Sequence, residues 1–191
     1  MSKAVMISIR PKWCEKIASG EKTIEVRKNC PKLETPFKAY IYCTKGRPDL
    51  NIPISQERLM QDYLNTGSMK SLNCPHGNVK VIGEFTCDRI DRIAPANEPY
   101  GIYDIDDDYV LQTCLENGAL WDYGHGTPLF GWHISDLKIY DKPRELREFK
   151  KNNRDCFYAD LGLAKRDCPD CKNSGCFLER PPQSWCYVEA M

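Results

Sequence analysis

The stretch from Ile7 to Lys28 (ISIRPKWCEKIASGEKTIEVRK) constrains the fold more tightly than any other part of the chain. Val5, Ile7 and Ile9 alternate with Met6 and Ser8, the period-two pattern of a strand. Pro11 then stands where a helix can begin, because its missing N–H would have no partner there anyway. Lys12 to Ser19 offers a small apolar helical face of Trp13, Ile17 and Ala18, and Gly20 is the expected left-handed stop. From Lys22 the period returns to two, with Thr23, Glu25 and Arg27 on one face and Ile24 and Val26 on the other. A strand that turns Ile24 and Val26 to the core turns Glu25 and Arg27 to a cleft or to solvent, beside Lys22 at the turn.

Beyond a loop over 29–36, FKAYIYCT (Phe37–Thr44) reads as a strand, aromatic and β-branched. Residues 45–77 look inserted: Gly46, Pro48 and Pro53 open the stretch, Ser55–Leu64 can form a short helix, and Cys74-Pro75-His76 falls in a turn cluster. Val79–Cys87 returns as a strand, with Val79, Val81, Gly83, Phe85 and Cys87 on one side. A second helix is expected over Asp106–Asn117, its aspartates at the positive N-terminal end, its apolar face made of Val110, Leu111, Cys114 and Leu115, and Gly118 as its end. Trp121–Pro128 reads as a glycine-rich aromatic loop and Leu129–Tyr140 as a long strand, whose parity change near Ser135–Asp136 predicts a bulge. A short helix over Pro143–Phe149, a cysteine-rich insertion over 150–180 and a closing strand over 183–189 complete a single α+β domain.

The 191 residues carry equal numbers of basic and acidic side chains, 27 each, so no global field favours polyanions. The distribution is uneven: residues 1–47 hold eleven basic and four acidic side chains, while Asp104, Asp106, Asp107 and Asp108 form an acidic cluster. A basic end is a plausible polyanion footprint. No segment approaches the roughly 18 apolar residues of a membrane span, and Lys3 and Arg10 interrupt any signal-peptide shape. Eleven cysteines without an export signal fit a reducing cytoplasm, with thiols or a metal in place of a disulfide framework.

The G-x-K-x-x-E-x-R pattern of Gly20, Lys22, Glu25 and Arg27, after a strand and a short helix, resembles the ASCH domain, a small PUA-like mixed β-barrel. The strands VKVIGEFTC and GWHIS and the final RPPQSWCYVE are similar to later strands of the longer ASCH proteins of bacteria and their phages. The resemblance spans 3–44, 78–140 and 183–189. It implies a barrel with two or three short helices. It also implies RNA or modified-nucleoside recognition, or hydrolysis of an acylated nucleoside or of RNA. In the family's acetylcytidine amidohydrolase a lysine, a nucleophilic threonine and a glutamate act together. The lysine matches Lys22, the glutamate matches Glu116 best, and the threonine falls at Glu25, so the nucleophilic hydroxyl is absent. Without it, hydrolysis would need a water activated by Glu25 or Glu116.

Three constellations follow from the residues. Lys22, Glu25 and Arg27 form the expected ligand shell, with Arg10, Lys12 and Glu116 beside it, because a guanidinium grips phosphate bidentately. A bare ion-pair ladder is the plainer alternative. Trp121 and Tyr123 are the aromatic candidates for a pocket lid over a base. Cys168-Pro169-Asp170-Cys171, with Cys176 following, has the spacing of a structural zinc site; Cys156 is favoured as fourth ligand over Cys186, which reads as barrel interior. His133, mid-strand, reads as a satisfied sheet residue, and Cys14, Cys43, Cys87 and Cys114 read as small core residues. The sequence thus points to a nucleic-acid or nucleoside reader with zinc and no organic cofactor. A hydrolase and a protein-interaction module with a vestigial cleft are the alternatives.

Overall fold

The computed structural model describes residues 2–45, 79–96, 101–151 and 176–191. Most of the 45–77 insertion lies outside them, including the Ser55–Leu64 helix and Cys74 and His76. So does most of the 150–180 segment, including Cys156, Cys168 and Cys171. Of the expected zinc ligands only Cys176 is described, its carbonyl accepting from the Lys151 N–H at 2.7 Å.

Strand β1 (Lys3–Ile9) has no solvent face. Val5, Ile7 and Ile9 enter one apolar cluster, and Ala4 and Met6 enter another on the opposite side. Helix α1 (Pro11–Ala18) follows with Pro11 in its first turn, and Gly20 adopts φ +80° behind it. Only glycine enters that region freely, so the turn into β2 (Ile24–Arg27) depends on it. Strands β3 (Phe37–Cys43), β4 (Lys80–Ile93), β5 (Leu129–Arg144) and β6 (Trp185–Glu189) complete a six-stranded sheet in the order β2-β5-β4-β3-β1-β6. The β1–β3 pair is parallel and the others antiparallel, a mixed sheet.

The sheet curls around the cluster of Val5, Ile7, Ile41, Phe85 and Trp132. Its two edges are joined by side chains instead of a ladder. The Trp185 indole on β6 donates to the Asn29 side chain just past β2 at 2.7 Å, and the Lys32 N–H donates to the Tyr187 hydroxyl at 2.8 Å. The opposite face of β1, β3 and β4 packs under Leu146, Phe149 and Leu178. A third cluster of Val26, Ile93, Tyr103, Leu120 and Leu129 lies beneath helices α2 (Asp107–Thr113) and α3 (Asn117–Gly124).

Several expectations change. The helix expected over Asp106–Asn117 stops at Thr113, because Cys114 turns left-handed at φ 53°, and a separate helix begins at Asn117. Asp106 does cap it, accepting from the Tyr109 N–H at 2.7 Å, but Leu111 is 71% exposed and belongs to no apolar face. Trp121–Pro128 is not a loop throughout, since α3 runs to Gly124. Strand β4 continues six residues past Cys87, and a register shift between Val81 and Gly83 sends Val81 to the outer cluster and Ile82 to the interior. Where a helix is expected over Pro143–Phe149, β5 reaches Arg144 and only a 3-10 turn (Leu146–Glu148) follows. The bulge is where the sequence places it, with Asp136 at φ 47°. Cys186 lies not in the barrel interior but on the outer face against the second cluster, because it pairs with Met6 while Trp185 and Tyr187 turn inward. Cys14, Cys43 and Cys87 are buried as expected, and Cys114 is half-buried at the end of α2.

Burial raises the Cys87 thiol to about 12 and the Cys186 thiol to about 11, and also raises Tyr42, Tyr103, Tyr109, Tyr123 and Tyr140. Above about pH 9 the unfolded chain releases protons that the folded chain still holds, so these groups lower stability as pH rises. Lys22 acts the other way. Desolvation lowers it, so below its usual 10.5 the unfolded chain holds the extra proton and stability rises with pH until that window closes. One lysine opposes two thiols and five phenols, and above pH 10.5 nothing here opposes them. The urea midpoint is therefore expected to fall between pH 8 and pH 11; an unchanged or higher midpoint at pH 11 would contradict these burials.

Candidate functional site

Glu25 and Arg27 do not face solvent. In the β2–β5 register Glu25 lies opposite Trp132 and Arg27 opposite Phe130. Directly paired residues share a face, and this face looks into the barrel. Val26 takes the other side, into the cluster beneath α2 and α3. Both faces of this short strand are thus covered, and the charged side chains sit inside the mouth of the barrel.

The three predicted residues come together. Lys22, Glu25 and Arg27 are 2%, 6% and 8% exposed. The Glu25 carboxylate lies 2.9 Å from the Arg27 guanidinium and 3.5 Å from the Lys22 ammonium. Arg27 also donates to the Ser8 carbonyl at 2.7 Å, joining β2 to the end of β1, while its Nε is buried without a partner. Lys22 donates to the Thr113 carbonyl at the C-terminus of α2, an end with negative partial charge and spare acceptors. The neighbouring Thr23 N–H donates to the Gln112 carbonyl at 3.0 Å. The turn before β2 is thereby fastened to α2. Desolvation lowers the Lys22 pKa, and the Glu25 carboxylate partly restores it.

Around this buried core stands a rim of aromatic and cationic side chains. The Lys22 and Lys12 ammonium groups lie 5.1 and 4.8 Å from the centre of the Trp13 ring. Lys28 lies 5.1 Å over the Tyr123 ring. Tyr123 is 37% exposed, and its phenol is raised by burial while Arg27, Glu25 and Arg10 all act on it electrostatically. Arg10, Lys12 and Lys28 are exposed. This rim is where a polyanion or a planar base could be met.

Other predicted residues sit elsewhere. Trp121 packs away from the triad: it lies 6.0 Å from Tyr103, and a Cβ on Gly101 or Gly126 would lie 2.8 or 3.1 Å from its ring. Glu116 is exposed at the N-cap of α3, with no hydrogen bond or ion pair to the triad. His133 is satisfied, its Nε2 2.6 Å from Asp91 and 3.0 Å from Arg89. Lys28, Ser8 and Thr113 are the members that sequence reasoning missed. Lys28 lies inside the motif segment and could have been named from it; Ser8 and Thr113 act through backbone carbonyls, which leave no trace in the sequence.

No family model matches the chain, and no curated protein does. Solved structures do. An ASCH protein from Zymomonas mobilis superposes with a TM-score of 0.53 at 18% identity, over 97% of this chain and 87% of that one. A serine-to-alanine variant of that protein gives 0.52 at 18% identity, over 97% and 88%. A tyrosine-to-phenylalanine variant gives 0.52 at 17% identity, over 98% and 91%. The chain has the ASCH fold. At this identity the likeness speaks for the barrel, and the roles of individual residues rest on their own geometry. In the ASCH barrel of this chain the G-x-K-x-x-E-x-R segment supplies both the mouth and the fastening of α2. Among the described residues no helix is long and apolar enough to cross a membrane, and no group of three or more His, Cys, Asp or Glu is placed to hold a metal ion.

Proposed function

We propose that this ASCH barrel binds single-stranded RNA at the mouth beside residues 10–28, and binds it without cleaving it. The observation that carries the reading is the rim. Exposed Arg10, Lys12 and Lys28 surround Trp13 and the exposed Tyr123, over a buried Arg27 whose Nε has no partner. Lysine and arginine would take backbone phosphates, and an aromatic ring at an open mouth would stack a base. The chemistry of the triad weighs against hydrolysis. Glu25 is held between two cations in a site 6% exposed, and Glu116 lies away from it. The buried triad shapes the mouth, and the rim makes the contacts.

The test is fluorescence anisotropy with a labelled single-stranded hexaribonucleotide, at low and moderate salt. Tyr123→Ala is expected to weaken binding about tenfold, within the range of one lost stacking contact. Lys28→Glu is expected to weaken it similarly and to flatten the salt dependence. No binding at low salt, or both variants binding like the wild type, would overturn the reading. Product release that Lys22→Met abolishes would move the assignment to a hydrolase, and tight binding of a free nucleoside without salt dependence would make it a nucleoside receptor.

A further inference from the structure

Next to the mouth the structure holds a second opening, a cleft of about 600 Å³ lined by Cys30, Leu33, Glu34, Ile90, Arg92 and Phe130 among others. That volume is within the usual range of small-molecule sites, about 300–1,000 Å³. It is contiguous with the triad through the sheet. Arg27 on β2 pairs directly with Phe130 on β5, and Phe130 pairs directly with Arg92 on β4. Directly paired residues share a face, so one row across the sheet reads arginine, phenylalanine, arginine. With strands about 4.8 Å apart, the two arginine backbones are roughly 10 Å apart, with the ring between them.

The cleft has both kinds of contact that a nucleotide needs. Phe130 is half-buried, with Leu33 and Ile90 also packed on the main core, so the apolar part is fixed by the barrel. Arg92 and Glu34 are both exposed, and neither side chain is hydrogen-bonded or ion-paired to a described residue. An uncommitted guanidinium beside an aromatic ring suits a phosphate next to a stacked base. An uncommitted carboxylate on the same cleft accepts hydrogen bonds only, so it suits a base that donates from an exocyclic amine and disfavours one that presents a carbonyl there.

Resting on the RNA reading above, we infer that this cleft is a second nucleotide subsite, stacking a base on Phe130, holding its phosphate at Arg92 and favouring an amino-bearing base through Glu34. RNA would then run from the Tyr123 rim, past Arg27, to Arg92.

The experiment compares hexacytidylate with hexauridylate on wild type, Arg92→Ala, Arg92→Lys, Glu34→Ala and Lys28→Glu, by anisotropy. A parallel arm measures Cys30 alkylation with and without hexacytidylate, resolved by peptide mass spectrometry. The inference expects tighter binding of hexacytidylate, a five- to tenfold loss in Arg92→Ala that Arg92→Lys partly restores, and loss of the base preference in Glu34→Ala. Cys30 alkylation should slow when hexacytidylate is bound. Wild-type-like binding by Arg92→Ala with unprotected Cys30, while Lys28→Glu still weakens binding, would overturn the subsite and leave the mouth intact. Loss in Arg92→Ala with none in Lys28→Glu would overturn the mouth and keep the cleft as the RNA site. An absence of binding in the wild type would overturn both.

Discussion

Glu25→Ala is expected to cost about 3–5 kcal/mol of stability, the usual loss when one member of a buried charged group is removed and its partners are left uncompensated. Here the partners are two cations, at 2.9 and 3.5 Å, in a site less than a tenth exposed. For a chain of this length each kcal/mol lowers the melting temperature by about 2–4 °C, so a fall of about 6–20 °C is expected in a thermal scan. Lys22→Met should cost less, about 1–3 kcal/mol, since Glu25 keeps Arg27 and the main loss is a donor to the Thr113 carbonyl. The order of the two variants is the sharper test. An exposed ion-pair ladder would move the midpoint by no more than about 0.5 kcal/mol in either variant. It follows that binding losses in Lys22 variants cannot be read as lost contacts without a stability measurement beside them. With 2% exposure and a bond to α2, Lys22 supports the fold whatever else it does for a ligand.

The elements legible in the sequence are those whose signals are local. Pro11, Gly20 and the change of period at Lys22 mark β1, α1 and β2 with nothing from outside the segment. The bulge near Asp136 shows as a change of parity, and the start of α2 shows as a run of aspartates before an apolar face. The misread elements have an equally physical cause. Cys114 ends α2 in a left-handed conformation that a cysteine gives no warning of, and the expected stop, Gly118, falls in the first turn of the next helix. The end of β4 (DRIDRI) lies past Cys87, where the sequence pattern ends the strand. It is a strand because Ile90 packs inward against the barrel core while Asp91 pairs with His133 on the other side.

The site was half legible for the same reason. Lys22, Glu25 and Arg27 stand close along the chain, so the motif names them. What it could not tell is that both faces of β2 are covered, because alternating charge reads as a surface whenever the neighbouring strand is unknown. Arg92 and Phe130 are 38 positions apart in sequence and meet only in the β4–β5 register. Trp121 and Tyr123, two residues apart on one short helix, were indistinguishable as lid candidates. A helix step of 100° per residue turns Trp121 into the small cluster with Tyr103 and leaves Tyr123 at the mouth.

Trp132→Ala is the second variant expected to have a large effect, a loss of about 3–5 kcal/mol from an unfilled cavity. Trp132 is fully buried, with ring centres 5.8 Å from Phe37 and 6.0 Å from Trp185, so it joins β3, β5 and the closing strand in one aromatic contact. Its indole N–H is buried without a hydrogen-bond partner, which costs stability and shows that this position is held for volume and not for polarity. Trp132→Phe removes that N–H and keeps an aromatic ring, so it should recover most of what the alanine loses. The consequence for the site follows from register. Glu25 lies directly opposite Trp132, so emptying this position lets the Glu25 backbone settle and loosens its hold on Arg27 and Lys22. Trp132→Ala should therefore weaken hexaribonucleotide binding even at a temperature where the protein is folded, while Trp132→Phe should bind close to the wild type. Urea denaturation and anisotropy on the same preparations decide it. If phenylalanine proves as damaging as alanine, the indole N–H has a partner in solution and the volume argument is wrong. If both variants bind normally, Trp132 supports the barrel and not the site.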